Sequence, residues 1–71
     1  MNIKRQGTVL ITGAANGIGY QLARIFAHNN YNLVLVDRLE EKITKIAVDF
    51  AEEFRISVKP IIKDLSISIS P

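Results

Sequence analysis

A chain of 71 residues is at most one small domain, burying only about 60% of the surface its unfolded form exposes. Its 48% apolar and 23% charged residues argue against disorder, and the lack of cysteine excludes disulfide staples, thiolate metal sites and a cysteine nucleophile. The net charge of +2 comes from dispersed residues (Lys4, Arg5, Arg24, Arg38, Lys42, Lys45, Arg55, Lys59, Lys63), not from a block of the kind that binds nucleic acid.

Residues 1–6 carry two cations, but the apolar run after them, Val9-Leu10-Ile11, is too short for a signal-peptide core or a membrane span; a cytoplasmic protein is expected. Thr8–Thr12 reads as a short buried strand leading into Thr12-Gly13-Ala14-Ala15-Asn16-Gly17-Ile18-Gly19. The glycine spacing is G-x-x-x-G-x-G, related to the dinucleotide fingerprint G-x-G-x-x-G but not identical to it. A turn between strand and helix offers an anion unpaired N–H groups and the positive end of the helix dipole. Glycines there permit positive φ and let a phosphate reach the main chain, so the stretch is a candidate nucleotide site.

From Gly17 the pattern is helical, with Ile18, Leu22, Ile25 and Phe26 predicted as the buried face and Asn29-Asn30 as the stop. Leu33-Val34-Leu35-Val36 is continuously apolar, as in a parallel strand covered on both faces, and ends in Asp37. A second helix is predicted over Glu40–Phe54, with Ile43, Ile46, Ala47, Phe50, Ala51 and Phe54 on one face. Val58–Ile62 supplies a third strand, interrupted only by Pro60.

The fold class is therefore α/β, β-α-β-α-β, with right-handed crossovers placing both helices on one face of a three-stranded parallel sheet. The other face then lacks a cover, leaving strand residues such as Val34 or Leu35 exposed, and the first strand has a free edge. This is the pattern of half a doubly wound fold, a single unit over residues 1–71. Residues 66–71 alternate serine and isoleucine and end in Pro71, which reads either as the start of a further helix in a truncated chain or as a frayed terminus.

The stretch Thr12-Gly13-x-x-x-Gly17-Ile18-Gly19, then Asn32-Leu33-Val34-Leu35-Val36-Asp37-Arg38 and Lys63-Asp64-Leu65-Ser66, resembles the amino-terminal part of the short-chain dehydrogenase/reductase family over about residues 7 to 66. The resemblance implies a Rossmann-type sheet and a nicotinamide dinucleotide, with Gly13, Gly17 and Gly19 at the pyrophosphate and Asn16 and Ile18 lining the loop. It also implies that Asp37 takes the adenosine ribose. A carboxylate there accepts hydrogen bonds from both ribose hydroxyls and repels a 2′-phosphate, which favours NAD over NADP; Arg38, where family members often pair with that phosphate, argues the other way. Asp64 resembles the family's adenine-edge residue, with the Leu65 backbone beside it, although a cap for the following turn is an equal reading.

Members of the family transfer hydride between the dinucleotide and a carbonyl or alcohol with a Tyr-x-x-x-Lys pair, a serine and an asparagine lying downstream of this region, and assemble as homo-oligomers through later helices. In this chain Tyr20 is followed four residues on by Arg24 behind the glycine loop, and Tyr31 has no lysine at that spacing, so both read as packing or surface residues and no catalytic residue is assigned. His28 stands alone near a predicted helix end, with no metal-binding companion. The expected function is the cofactor-binding part of an oxidoreductase, inactive by itself. Two alternatives stay open: a nucleotide-binding or protein-interaction module, and another α/β nucleotide fold such as a methyltransferase, against which the T-G-x-x-x-G-I-G spelling speaks.

Overall fold

The computed structural model describes residues 7–63. The order is β1 (Thr8–Thr12), α1 (Gly17–His28), β2 (Asn32–Asp37), α2 (Glu40–Phe54) and β3 (Val58–Ile62), and the strands form a parallel sheet in the order β1-β2-β3. The predicted elements fall where the sequence put them. Asn30 ends α1 by taking a left-handed φ of 67°, and Arg55 does the same after α2 at φ 58°. Pro60, which has no N–H to give a neighbour, sits on β3, an outer strand among the described residues.

Register decides what each strand buries. Val9, Leu33 and Val58 lie opposite one another, as do Ile11, Leu35 and Pro60. These rows face the helices: Leu33, Leu35 and Ile43 of α2 are fully buried and pack with Ala23, Ala27, Ile46 and Phe50. Each such large aliphatic side chain contributes about 1.5–3 kcal/mol by leaving water. Both helices therefore share one face of the sheet. On the opposite face the alternate row runs Leu10, Val34, Lys59. The expectation that residues such as Val34 or Leu35 stand in water needs correction: Leu35 points into the helix-covered core, Val34 is half-buried, and it is Leu10 that is 61% exposed.

The α1 face is a second correction. Ile18, Leu22 and Ile25 are exposed, and the helix instead buries Ala23 and Ala27, with Tyr20 and Phe26 half-buried against the core. The reason is steric. Gly19, Ala23 and Ala27 repeat every four residues and form the stripe that lies against the sheet, where the close approach of helix and strand leaves no room for larger groups. The α2 face agrees with its pattern: Ile43, Ile46, Ala47 and Phe50 are buried, while Ala51 and Phe54 are half-buried at its margin.

Candidate functional site

The turn between β1 and α1 opens with Gly13 at φ 64° and closes with Gly17 at φ 59°, the left-handed region in which a side chain is strained. A Cβ on either would meet no atom within 4 Å, so both present bare main chain to open space. Gly19 differs. A Cβ there would lie 2.2 Å from the Gly13 carbonyl oxygen and 3.1 Å from that of Thr12, so its lack of a side chain sets the distance between α1 and the end of β1. The Gly13 and Ala14 N–H groups donate to the Val36 carbonyl at 2.8 and 3.3 Å, pinning the start of the loop to β2.

Asn16 is the N-cap of α1, but its side chain makes no cap hydrogen bond, and the first turn contains no acidic residue. The opening N–H groups of α1, including those of Ile18 and Gly19, thus receive nothing from the cap, and the first turn itself carries no carboxylate to repel an anion. Ile18 itself is 79% exposed. With the glycine conformations, this makes an open stretch of main chain whose N–H groups are of the kind that bind phosphate.

Asp37, at the end of β2, reaches this loop. Its Oδ2 accepts from the Ala15 N–H at 3.0 Å and its Oδ1 from the Leu39 N–H at 3.0 Å, the second bond turning the chain into α2. Desolvation by itself raises the carboxyl, but the N–H groups of Leu39, Ala15 and Arg38, with the Arg38 charge, outweigh it and hold Asp37 below the usual carboxylate value. An ionised carboxylate has about four acceptor positions, so these N–H groups leave acceptor capacity for a hydroxyl donor. Arg38 follows on the exposed side of the corner.

Gly13, Asn16, Gly17, Ile18, Gly19, Asp37 and Arg38 are therefore brought to one end of the sheet, beyond the carboxyl ends of β1 and β2. Asp64 and Leu65 lie outside the described residues. The sequence reading missed Lys42, whose Nζ donates to Asn16 Oδ1 from the first turn of α2. Its one local signal is a cation directly after Glu40-Glu41 at a helix start, where acids are favoured. The two tyrosines are packing residues as expected: Tyr20 lies 5.6 Å from Phe50 between ring centres, and Tyr31 meets Phe26 edge-on at 5.1 Å. His28 meets Phe54 edge-on at 6.1 Å.

A family model for short chain dehydrogenases matches residues 7–69. The chain belongs to the short-chain dehydrogenase family. Among its relatives in this family is a very-long-chain 3-oxoacyl-CoA reductase of Phaeosphaeria nodorum, 39% identical over 59 residues, a match covering 80% of this chain and 17% of that protein. In three dimensions it is similar to the bulky-bulky ketone specific alcohol dehydrogenase of Comamonas testosteroni, with a TM-score of 0.85, 35% identity and coverage of 92% of this chain and 26% of that one. It is similar too to a short-chain dehydrogenase of Sphingobium yanoikuyae solved in complex with NADPH, with a TM-score of 0.83, 38% identity and coverage of 86% and 24%. The chain thus spans about a sixth to a quarter of the length of these proteins.

Proposed function

We propose that this chain is the dinucleotide-binding part of a short-chain oxidoreductase that moves hydride between a nicotinamide cofactor and a carbonyl or alcohol. One observation carries the reading: a left-handed glycine loop running into an uncapped helix lies within a hydrogen bond of an ionised carboxylate at the end of the next parallel strand. The open space over Gly13 and Gly17 fits a pyrophosphate, which bulkier residues would crowd. The nicotinamide ring, when bound, supplies or accepts the hydride.

The residues of this chain bind and orient. Gly13 and Gly17 admit the pyrophosphate to the main chain, the Ile18 and Gly19 N–H groups face it, and Gly19 keeps α1 close to β1. Asp37 accepts from the adenosine ribose hydroxyls and disfavours an added 2′-phosphate, which makes NAD the preferred cofactor, with Arg38 as the opposing charge. The Sphingobium yanoikuyae relative was solved with NADPH, so kinship does not choose between the two; the choice rests on Asp37. Proton transfer to substrate is assigned to no residue here, because the Tyr-x-x-x-Lys pair of the family has no counterpart in these 71 residues.

A second reading, a non-catalytic nucleotide-binding or protein-interaction module, draws support from the exposed Leu10, Ile18, Leu22 and Ile25. Calorimetric titration of the chain with NAD and NADP tests the first reading, with Gly17→Val as the control. Binding of NAD that Gly17→Val abolishes supports the site. Equal affinity in both proteins refutes it, and no binding to the unsubstituted chain leaves the interaction module.

A further inference from the structure

Two consecutive residues of the glycine loop are held from the same neighbouring segment. Ala15 donates its N–H to Asp37 Oδ2, and Asn16 accepts at Oδ1 from Lys42 Nζ. The partners are 22 and 26 residues apart in sequence, so both bonds are tertiary and join the corner between β2 and α2 to the turn between β1 and α1. Asn16 has the extended backbone of an N-cap, φ −145° and ψ 164°, yet its side chain satisfies no amide of its own helix. The bond that ordinarily fixes a helix start is thus unmade, and the left-handed Gly17 follows directly. Among the described residues no carboxylate lies within 4.0 Å of the Lys42 ammonium, which leaves Asn16 as its partner.

We propose that Lys42 is a positioning residue for the phosphate loop. Its bond to Asn16 stands in for the absent cap, and with the Asp37–Ala15 bond it forms a two-point clasp that fixes the backbone of residues 15–17 before any ligand arrives. Loop order established in advance need not be established on binding, so the clasp strengthens affinity without touching the ligand. It follows that loss of Lys42 weakens NAD and NADP alike. The bond is exposed, so global stability does not depend on it.

Amide hydrogen exchange on the unliganded chain, compared among the unsubstituted protein, Lys42→Met, Lys42→Arg, Asn16→Ala and the Lys42→Met/Asn16→Ala double variant, tests the clasp directly. Exchange at Ala15, whose N–H is bonded to Asp37 Oδ2, is expected to quicken about fivefold in Lys42→Met and in Asn16→Ala, with no further gain in the double variant. Lys42→Arg keeps the donor and should restore the unsubstituted rates, and the melting midpoint should not move. The affinity arm rests on the dinucleotide reading: Lys42→Met should weaken NAD and NADP by the same factor, about three- to fivefold. Unchanged exchange in Lys42→Met, or additive effects in the double variant, would overturn the proposal. A loss confined to NADP would overturn it too, by making Lys42 a direct partner of the 2′-phosphate. Failure of the unsubstituted chain to bind either dinucleotide would defeat the reading of the site, while the exchange rates still judge the clasp.

Discussion

The carbonyl oxygen of Gly13 occupies the space in which a side chain on Gly19 would begin, 2.2 Å from an ideal Cβ. Relief would have to come from backbone, because the Gly13 N–H is itself bonded to Val36 at 2.8 Å. Gly19→Ala is accordingly expected to cost about 2–3 kcal/mol through forced separation of α1 from β1. Gly17→Ala meets no atom and should cost only the left-handed penalty of about 1–2 kcal/mol. Urea unfolding of the two variants ranks them, and the reverse order would show that Gly19 does not set the spacing.

Asp37 should make folding pH-dependent. Its folded pKa is lowered, so its contribution is fully present above the unfolded carboxylate value, near 4, and is lost as pH falls through the lower folded value. Thermal melts from pH 6 downward (a range set about the ordinary carboxylate pKa) should show a decline that Asp37→Asn flattens. An identical decline in the variant would assign the effect to other carboxylates.

Removing the same carboxylate should redirect cofactor choice. Asp37→Ala deletes the ribose acceptor and the repulsion of a 2′-phosphate while leaving Arg38 in place, so the NAD to NADP affinity ratio is expected to fall by about tenfold or more. An unchanged ratio from paired titrations would mean that Asp37 serves the loop through Ala15 and does not face the ribose.

The sequence made the elements, the parallel order and the glycine site legible because each rests on local chemistry: β-branched runs, the 3.6-residue repeat of α2, and glycines where positive φ is needed. It misassigned the buried face of α1, because Ile18, Leu22 and Ile25 form a stronger apolar pattern than Ala23 and Ala27. What decided that face was the contact of Gly19 with Gly13, which admits only small neighbours along the helix. The bonds from Asp37 to Ala15 and from Lys42 to Asn16 were equally hidden, since nothing local in a chain marks which residue more than twenty positions away will meet it.

The outward apolar residues should make the chain self-associate. Leu10 on the sheet and Ile25 on α1 are 61% and 56% exposed. Leu10→Thr, which keeps strand propensity, and Ile25→Lys are expected to lower the associated fraction in sedimentation equilibrium, with stability changed by no more than about 0.5 kcal/mol. Association that persists unaltered in both variants would place the sticky surface elsewhere.

The claim that the glycine loop and Asp37 form one dinucleotide site is tested most directly by titrating NAD into the isotope-labelled chain and following its backbone amides by nuclear magnetic resonance. Saturable shifts are expected at Gly13, Gly17, Ile18 and Gly19, accompanied by Ala15 and Leu39 as the ribose engages the carboxylate they share. Shifts confined to the outer flank of α2 around Thr44 and Val48, or none at millimolar NAD, would contradict it.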